Sequence, residues 1–156
     1  MTDWLDVDEQ RTWRGVLRMY AHLTEVLAQA LKADSAMSIS DFEVMAILSE
    51  APDQTLRARD LRYELRWEKS RLAHHLRRME QRGYVRRETC TDDARAPLVC
   101  LTKTGHAAIH AAAPAHVARV RELFFAALSP AQAQALREAT GAVLEHLSRM
   151  ESRQGR

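Results

Sequence analysis

Cysteine is scarce in this chain of 156 residues. There are two, Cys90 and Cys100, and their spacing is not the C-x-x-C spacing of a metal site. We interpret both as small, buried, reduced thiols of a cytoplasmic protein. A redox switch is the alternative interpretation, and it requires a thiol that ionises readily.

Long apolar runs are also missing, which excludes a membrane-spanning helix. The acidic beginning, MTDWLDVDEQ, lacks the basic start and apolar core of a signal peptide, so nothing favours export. The sequence has no glycine-rich phosphate loop and no nucleophile-elbow motif. We therefore expect a cytoplasmic protein that is not an enzyme, has no cofactor and does not associate with a membrane. Apolar residues make up 46% of the chain, which is enough for one folded domain.

Positive charge is concentrated in one part of the chain. The whole sequence carries a net charge of only +2. Residues 57–87 nevertheless contain eleven Lys and Arg against four Asp and Glu, a local excess of seven, so the remainder has a net charge of −5. This asymmetry indicates one surface for an anionic partner on an otherwise acidic body.

Helical periodicity dominates the first part of the chain. Apolar residues at three- and four-residue steps predict an amphipathic helix over residues 8–32. The segment ADSAMSI ends it. A second helix is predicted to begin at ISDFEV, with Ser40 as its N-cap and Glu43 completing a capping box.

The middle of the chain predicts a winged helix-turn-helix. A short third helix fits RARDLRYEL, and a fourth begins near Lys69 and ends at Gly83, a left-handed C-cap residue. Two helices in tandem across a short turn have helix-turn-helix geometry. Two short strands, YVRRETC and PLVCLT, follow with the turn TDDARA between them. A hairpin with a charged tip in this position is a wing.

The C-terminal part is Ala-rich and helical from Lys103 onward. Pro114 removes a backbone donor, so we expect that helix to kink or restart there. Ser129 as N-cap and Pro130 as first helical residue begin a last helix, expected to end near Arg149. The tail SRQGR is expected to be disordered.

The fourth helix is the predicted DNA-contact element, because a helix fits the major groove of the duplex. Arg71 is placed to bond a guanine edge in bidentate fashion, and Ala73 to approach a thymine methyl group. Arg77 and Arg78 are predicted to contact phosphate. The residues expected on its outward side or flank are Lys69, Ser70, Arg71, Ala73, His74 and Arg77. The alternative is a basic helix face that is merely solvated.

The tip of the hairpin supplies the second predicted contact. Arg95 lies two residues after Asp93, between the strands. An arginine at such a tip can enter a narrow minor groove, and the aspartate can hold its guanidinium in place beforehand. The alternative is a surface turn whose local ion pair contributes almost nothing.

These segments resemble the MarR family of winged helix-turn-helix regulators. The resemblance is carried by SRLAHHLRRMEQRGYVRRE and by DARAPLVCLTKTG, which contains the family pattern D-x-R-x-x-L-V-x-L-T. It also extends to WLDVDEQRTWRGVLRMY and ISDFEVMAILSEAP, so it covers nearly the whole chain. By this resemblance Asp93 and Arg95 occupy wing positions, and Ser70, Arg71 and His74 occupy recognition-helix positions. His75 departs from the family, where an aliphatic residue is usual, and is interpreted as a core substitution.

The resemblance implies a fold that is mainly α with a small β-hairpin wing and a helical dimerisation region. It implies a homodimer that binds a pseudo-palindromic site in double-stranded DNA, with repression relieved by a small-molecule effector, a metal or oxidation. A dimer is also expected from the residues, because the winged module offers the apolar stripes of the outer helices little cover. We divide the single domain into residues 38–102 for DNA binding and residues 8–32 and 103–150 for dimerisation.

Other interpretations remain open. His106 and His110 have the i, i+4 spacing of metal ligands, and His22 or His116 could approach them, but zinc needs three or four placed ligands. Trp13, Tyr20, Phe42 and His116 could line an effector pocket between the first, second and fifth helices, although aromatic residues at helical spacing are more often core. The competing functions are a metal-sensing regulator and a winged-helix protein-interaction module without specific DNA binding.

Overall fold

The computed structural model describes residues 4–88 and 97–154. The described helices are α1 (Val7–Ser35), α2 (Ile39–Glu50), α3 (Ala58–Leu65), α4 (Lys69–Gln81), α5 (Lys103–Leu123) and α6 (Pro130–Gln154). The described strands are β1 (Thr55–Arg57), β2 (Val85–Glu88) and β3 (Leu98–Leu101). Short 3₁₀ turns span Pro52–Gln54 and Phe125–Ala127. The chain forms two compact units, Met1–Val117 and Ala118–Arg156, and each is described by itself.

Helix α2 begins two residues earlier than its sequence predicts. Ser38, not Ser40, is the N-cap: its Oγ accepts from the Asp41 amide at 3.1 Å, and Asp41 Oδ2 accepts from the Ser38 amide at 3.4 Å. The predicted capping box of Ser40 and Glu43 is therefore wrong. Both pairs have the same spacing, and the buried contacts of the Asp41 carboxylate favour the earlier one.

The sheet has three strands rather than the two that the sequence predicts. Its order is β1–β3–β2, with both pairings antiparallel, so β3 is the central strand. Leu56 faces Val99 across one pairing, and Val85 faces Leu101 across the other. Strand β1 was missed because its three residues are too few to show an alternating pattern. It brings the beginning of α3 to the sheet, where the Ala58 amide donates to Pro97 O at 2.9 Å.

One apolar core joins α2, α3, α4 and the sheet in the first unit. Its most deeply buried members are Leu31 of α1 together with Val44, Met45, Leu48, Leu61, Leu72, Leu76, Met79, Val85 and Val99. The residues predicted to face inward on the fourth helix, Leu72, Leu76 and Met79, are all among them. This core fixes the orientation of α4, so the other side of that helix is presented to solvent.

Thr102 joins the wing strands to α5. Its hydroxyl donates to Gly83 O at 2.5 Å and accepts from the Gly105 amide at 3.0 Å, at the first turn of the helix. Its amide donates to Tyr84 O at 3.1 Å. Gly105 is required here, because a Cβ at that position would overlap Tyr84 O and lie 2.7 Å from Leu101 Cδ1.

In the last two helices, one of the two alternatives predicted for Pro114, a restart, is wrong, and α6 ends later than predicted. Pro114 lies within a single helix, α5, which does not restart there. Pro114 is exposed, so water can satisfy the carbonyl that it leaves without a donor. Ser129 begins α6 as predicted, with reciprocal bonds to Gln132 of 2.9 and 3.2 Å. The helix continues to Gln154 rather than ending near Arg149. Among the described helices, none has the length and apolarity needed to cross a bilayer.

Candidate nucleic-acid interface

Helix α4 separates its residues into two sides. Leu72, His75, Leu76 and Met79 are buried. The exposed residues are Lys69, Ser70, Arg71, Ala73, His74, Arg77, Arg78 and Gln81. Every residue predicted for DNA contact on this helix is therefore accessible, and the exposed set contains no acidic side chain. His75 is 5% exposed, which confirms the interpretation that it is a core residue.

The arginines around α4 fall into paired and unpaired groups. Arg87 binds Glu80 through two side-chain bonds of 3.0 and 2.6 Å, and this contact lowers the pKa of Glu80. Arg86 pairs with Glu88 at 2.7 Å. Lys69 and Arg77 have no ion pair with any carboxylate that the structure describes. Their charges are available to an external anion.

Asp41 is the centre of a buried polar network. It is 1% exposed, and its two carboxylate oxygens accept from Arg82 Nη1 and Nη2 at 2.9 and 2.5 Å. His75 Nε2 lies 3.0 Å from Asp41 Oδ1, at an angle outside good hydrogen-bond geometry. Burial alone raises the pKa of Asp41, but contacts with His75, Arg82 and Ser38 outweigh it and hold that pKa well below its usual range. The network ties α4 and its C-cap residue to the first turn of α2.

Arg71 is pre-positioned by an aromatic ring. Its guanidinium lies over Trp67, with the carbon 4.0 Å from the ring centroid, and Trp67 is only 8% exposed. Such a stack limits the conformations of the arginine without consuming its N–H donors. Nearby, burial raises the pKa of Glu43, and the positive charge of Arg71 opposes that rise. The predicted base reader is thus held at the beginning of α4 with its donors still able to bond.

Three of the four predicted pocket residues line one cavity of about 760 Å³ in the first unit: Tyr20, Phe42 and His116. Phe42 and His116 pack together with ring centroids 4.3 Å apart, and burial lowers the pKa of His116. Trp13 is not part of this lining. The expectation that these aromatics belong to the core is wrong for two of them, because Trp13 is 55% and Tyr20 is 70% exposed. The early turns of α1 are not covered by the part of the chain that the structure describes.

The predicted wing contacts, Asp93 and Arg95, lie outside the described residues, as does Cys90. Cys100 is a free thiol on β3 and is buried, as predicted.

The metal interpretation finds no support within residues 4–88 and 97–154. The rings of His106 and His110 lie 4.2 Å apart. No group of three or more His, Cys, Asp or Glu side chains with metal-binding proximity occurs in those ranges. His116, a suggested further ligand, packs against Phe42 instead.

Sequence reasoning missed Asp41 and Arg82. They are separated by 41 positions, and no local motif indicates that they meet. The spacing of Ser38 and Asp41 as a capping box was the one signal that could have located Asp41 at the beginning of α2. The tie to Arg82 depends on the tertiary fold alone.

The tandem helices, the sheet packed beside them and the outward basic side of α4 define a winged helix-turn-helix protein. The model of the MarR family matches residues 37–96. AbsC, a MarR family transcriptional regulator from Streptomyces coelicolor, is 36% identical, with a TM-score of 0.88 over 94% of this chain and 99% of its own. Sco3205, another MarR family regulator of that organism, solved in complex with DNA, is 34% identical, with a TM-score of 0.87 over 93% and 91%.

The chain therefore belongs to the MarR family of transcriptional regulators. The MarR protein of E. coli, solved in a mutant form with operator DNA, has the same fold at 20% identity, with a TM-score of 0.74 over 90% of this chain and 99% of its own. Among curated proteins, no sequence matches significantly.

Proposed function

We propose that this protein is a homodimeric repressor that binds a pseudo-palindromic DNA site and is released by a small-molecule effector. In this proposal residues 38–102 form the DNA-binding region, and residues 8–32 and 103–150 form the dimerisation region. The single observation that carries DNA binding is the exposed side of α4, which presents cations and no acid.

The N-terminal end of α4 supports a role in contact with bases as well as phosphates. Lys69, Ser70 and Arg71 occupy its first turn, where the helix dipole and free backbone amides favour an anion. Arg71 offers two parallel donors for a guanine edge, and Ala73 and His74 lie on the same exposed side. Arg77, unpaired among the described residues, is assigned to phosphate. The relative solved with DNA, Sco3205, has the same fold at 34% identity.

Uncovered apolar side chains support a dimer. On α1 the exposed group is Trp13, Val16, Leu17, Met19 and Tyr20. On α6 it is Val143, Leu144, Leu147 and Met150. Stripes of this kind on soluble helices mark an interface. A second copy covering them would supply a second α4 helix, and dimeric helix-turn-helix proteins bind two half-sites about one helical turn apart.

The cavity lined by Tyr20, Phe42 and His116 is the proposed effector site. Its volume of about 760 Å³ suits a small molecule. It combines an apolar floor on α2 with Arg71 of α4, so its wall includes part of the DNA-contact helix.

Binding to genomic duplex fragments at several salt concentrations tests the DNA function. Specific binding should weaken with a log–log slope of about −0.9 for each phosphate neutralised. Arg71→Ala should cost about 1–3 kcal/mol and relax specificity at one base pair. Arg153→Ala, a change at an exposed arginine outside both proposed regions, serves as the control and should leave binding unaltered.

Equal weakening of all sequences by Arg71→Ala would contradict base reading by this residue. Binding that is insensitive to salt, or no binding to any fragment, would favour a protein-interaction module.

A further inference from the structure

His75 has a defined protonation pattern because of its neighbours. Arg78 Nη2 lies 3.0 Å from His75 Nδ1. A guanidinium can only donate, so Nδ1 must accept this bond and carry no proton. The single proton of the neutral ring is therefore on Nε2, which faces Asp41 Oδ1 at 3.0 Å. One buried ring thus lies between an exposed arginine of α4, to which it is bonded, and a carboxylate at the beginning of α2.

The charged groups around His75 come from two elements. Asp41 of α2 faces Nε2, and Arg82, just after α4, neutralises the same carboxylate. Glu43 of α2 is close enough to interact electrostatically with the ring. Arg78 of α4 is the cation bonded to it, and the Trp67 ring packs against it edge-on at 5.3 Å. A protonated ring would still be attracted by Asp41 and Glu43 but would repel Arg78.

Protonation of His75 would place an N–H on Nδ1, directly against the N–H of Arg78. The bond between them would be lost, and two positive groups would then be in contact. Arg78 is exposed, so its side chain can leave by swinging into solvent. The imidazolium would remain beside Asp41, which stays ionised.

We propose that His75 is a positioning residue for DNA contact: the neutral ring holds Arg78 back against α4, and the protonated ring releases it to a phosphate. This inference rests on the proposed function and specifies how one cation of that site is controlled. A guanidinium bonded to a side chain three positions earlier on its own helix is kept from the extended conformation that reaches a DNA backbone. Histidine is the type of side chain that can gain a proton in mildly acidic solution, so acidification is the perturbation that tests this release.

The test compares salt dependence at two pH values. Binding of the full-length protein to a random-sequence duplex is measured from 50 to 200 mM salt at pH 8.0 and pH 5.5, for the unaltered protein and for Arg78→Ala. The difference between their slopes isolates Arg78, because every other side chain is common to the two proteins. We expect no difference at pH 8.0 and a difference of about 0.9 at pH 5.5, equal to one phosphate and about a 3.5-fold greater loss of affinity over this range.

His75→Leu supplies a second pair, with and without Arg78→Ala. Leucine cannot accept a bond from Arg78, so the arginine should contribute about 0.9 to the slope at both pH values. Suppose that, with His75 present, Arg78 contributes equally to the salt slope at pH 8.0 and at pH 5.5. That result would overturn the inference, and the proposed DNA binding would still stand. Absence of any DNA binding would overturn the proposed function, and this inference with it.

Discussion

Asp41→Asn tests the buried network most directly. The change keeps the shape of the side chain and removes its charge at a site that is 1% exposed. The guanidinium of Arg82 and the ring of His75 then lie against a neutral amide. The NH₂ group of that amide is itself a donor and cannot accept from them. Removing one partner of a fully buried ion pair costs about 3–5 kcal/mol. Because the Arg82 side chain is 43% exposed and can regain water, we expect a loss of about 2–3 kcal/mol.

Urea denaturation measures this loss in the free energy of unfolding. The protein concentration is kept fixed, because the stability of a dimer depends on the concentration of its protomers. Asp60→Asn is the control: it neutralises an exposed pair with Arg59 outside the proposed dimerisation region, and we expect a change below about 1 kcal/mol. If Asp41→Asn were no more costly than this control, the assignment of Asp41 as the tie between α2 and α4 would be wrong.

The same contribution has a defined pH dependence. The pKa of Asp41 in the folded protein is lower than in the unfolded chain, so its contribution is fully present above the ordinary aspartate pKa. It is lost as pH falls below about 4 toward the lowered folded value. The stability difference between the unaltered protein and Asp41→Asn should thus be present at neutral pH and narrow below pH 4.

Two backbone predictions use the same denaturation assay. Gly105→Ala should destabilise the protein by about 2 kcal/mol or more, because the added methyl group overlaps Tyr84 O. Gly15→Ala should instead stabilise it by about 0.5–1 kcal/mol, because the space around Gly15 in α1 is open. Ala36→Gly should stabilise the protein by about 1 kcal/mol, because this C-cap residue of α1 has a left-handed backbone with φ 55°. Ala33→Gly, within the same helix, should destabilise the protein by about 0.5–1 kcal/mol. Matching effects within either pair would refute the local explanation.

The sequence predicted elements whose signals are local. The cap formed by Ser129 and Pro130 is confirmed, and so are the helix-turn-helix, the two wing strands and the buried stripe of α4. Each depends on spacing within one helix or strand. Strand β1 was not predictable, because it exists through pairing with β3 and not through a pattern of its own.

The candidate site was predictable as a set of residue types but not as a set of contacts. The exposure of Arg71 and Arg77 follows from helical period. That Arg78 is bonded to His75, and Arg82 to Asp41, depends on how α2 and α4 pack, which spacing does not reveal. Trp13 and Tyr20 were misassigned to the core for a related reason: an apolar stripe does not say whether its cover comes from the same chain.

The hydroxyl of Thr102 makes the base of the hairpin and the beginning of α5 one mechanical piece. A displacement of α5 that keeps these bonds must carry Gly83 and the strands beside it along. Because the Gly83 amide also donates to Glu80 O of α4 at 2.9 Å, the same displacement is transmitted to the end of α4. The base of the hairpin and the end of α4 therefore respond to a movement of α5 together.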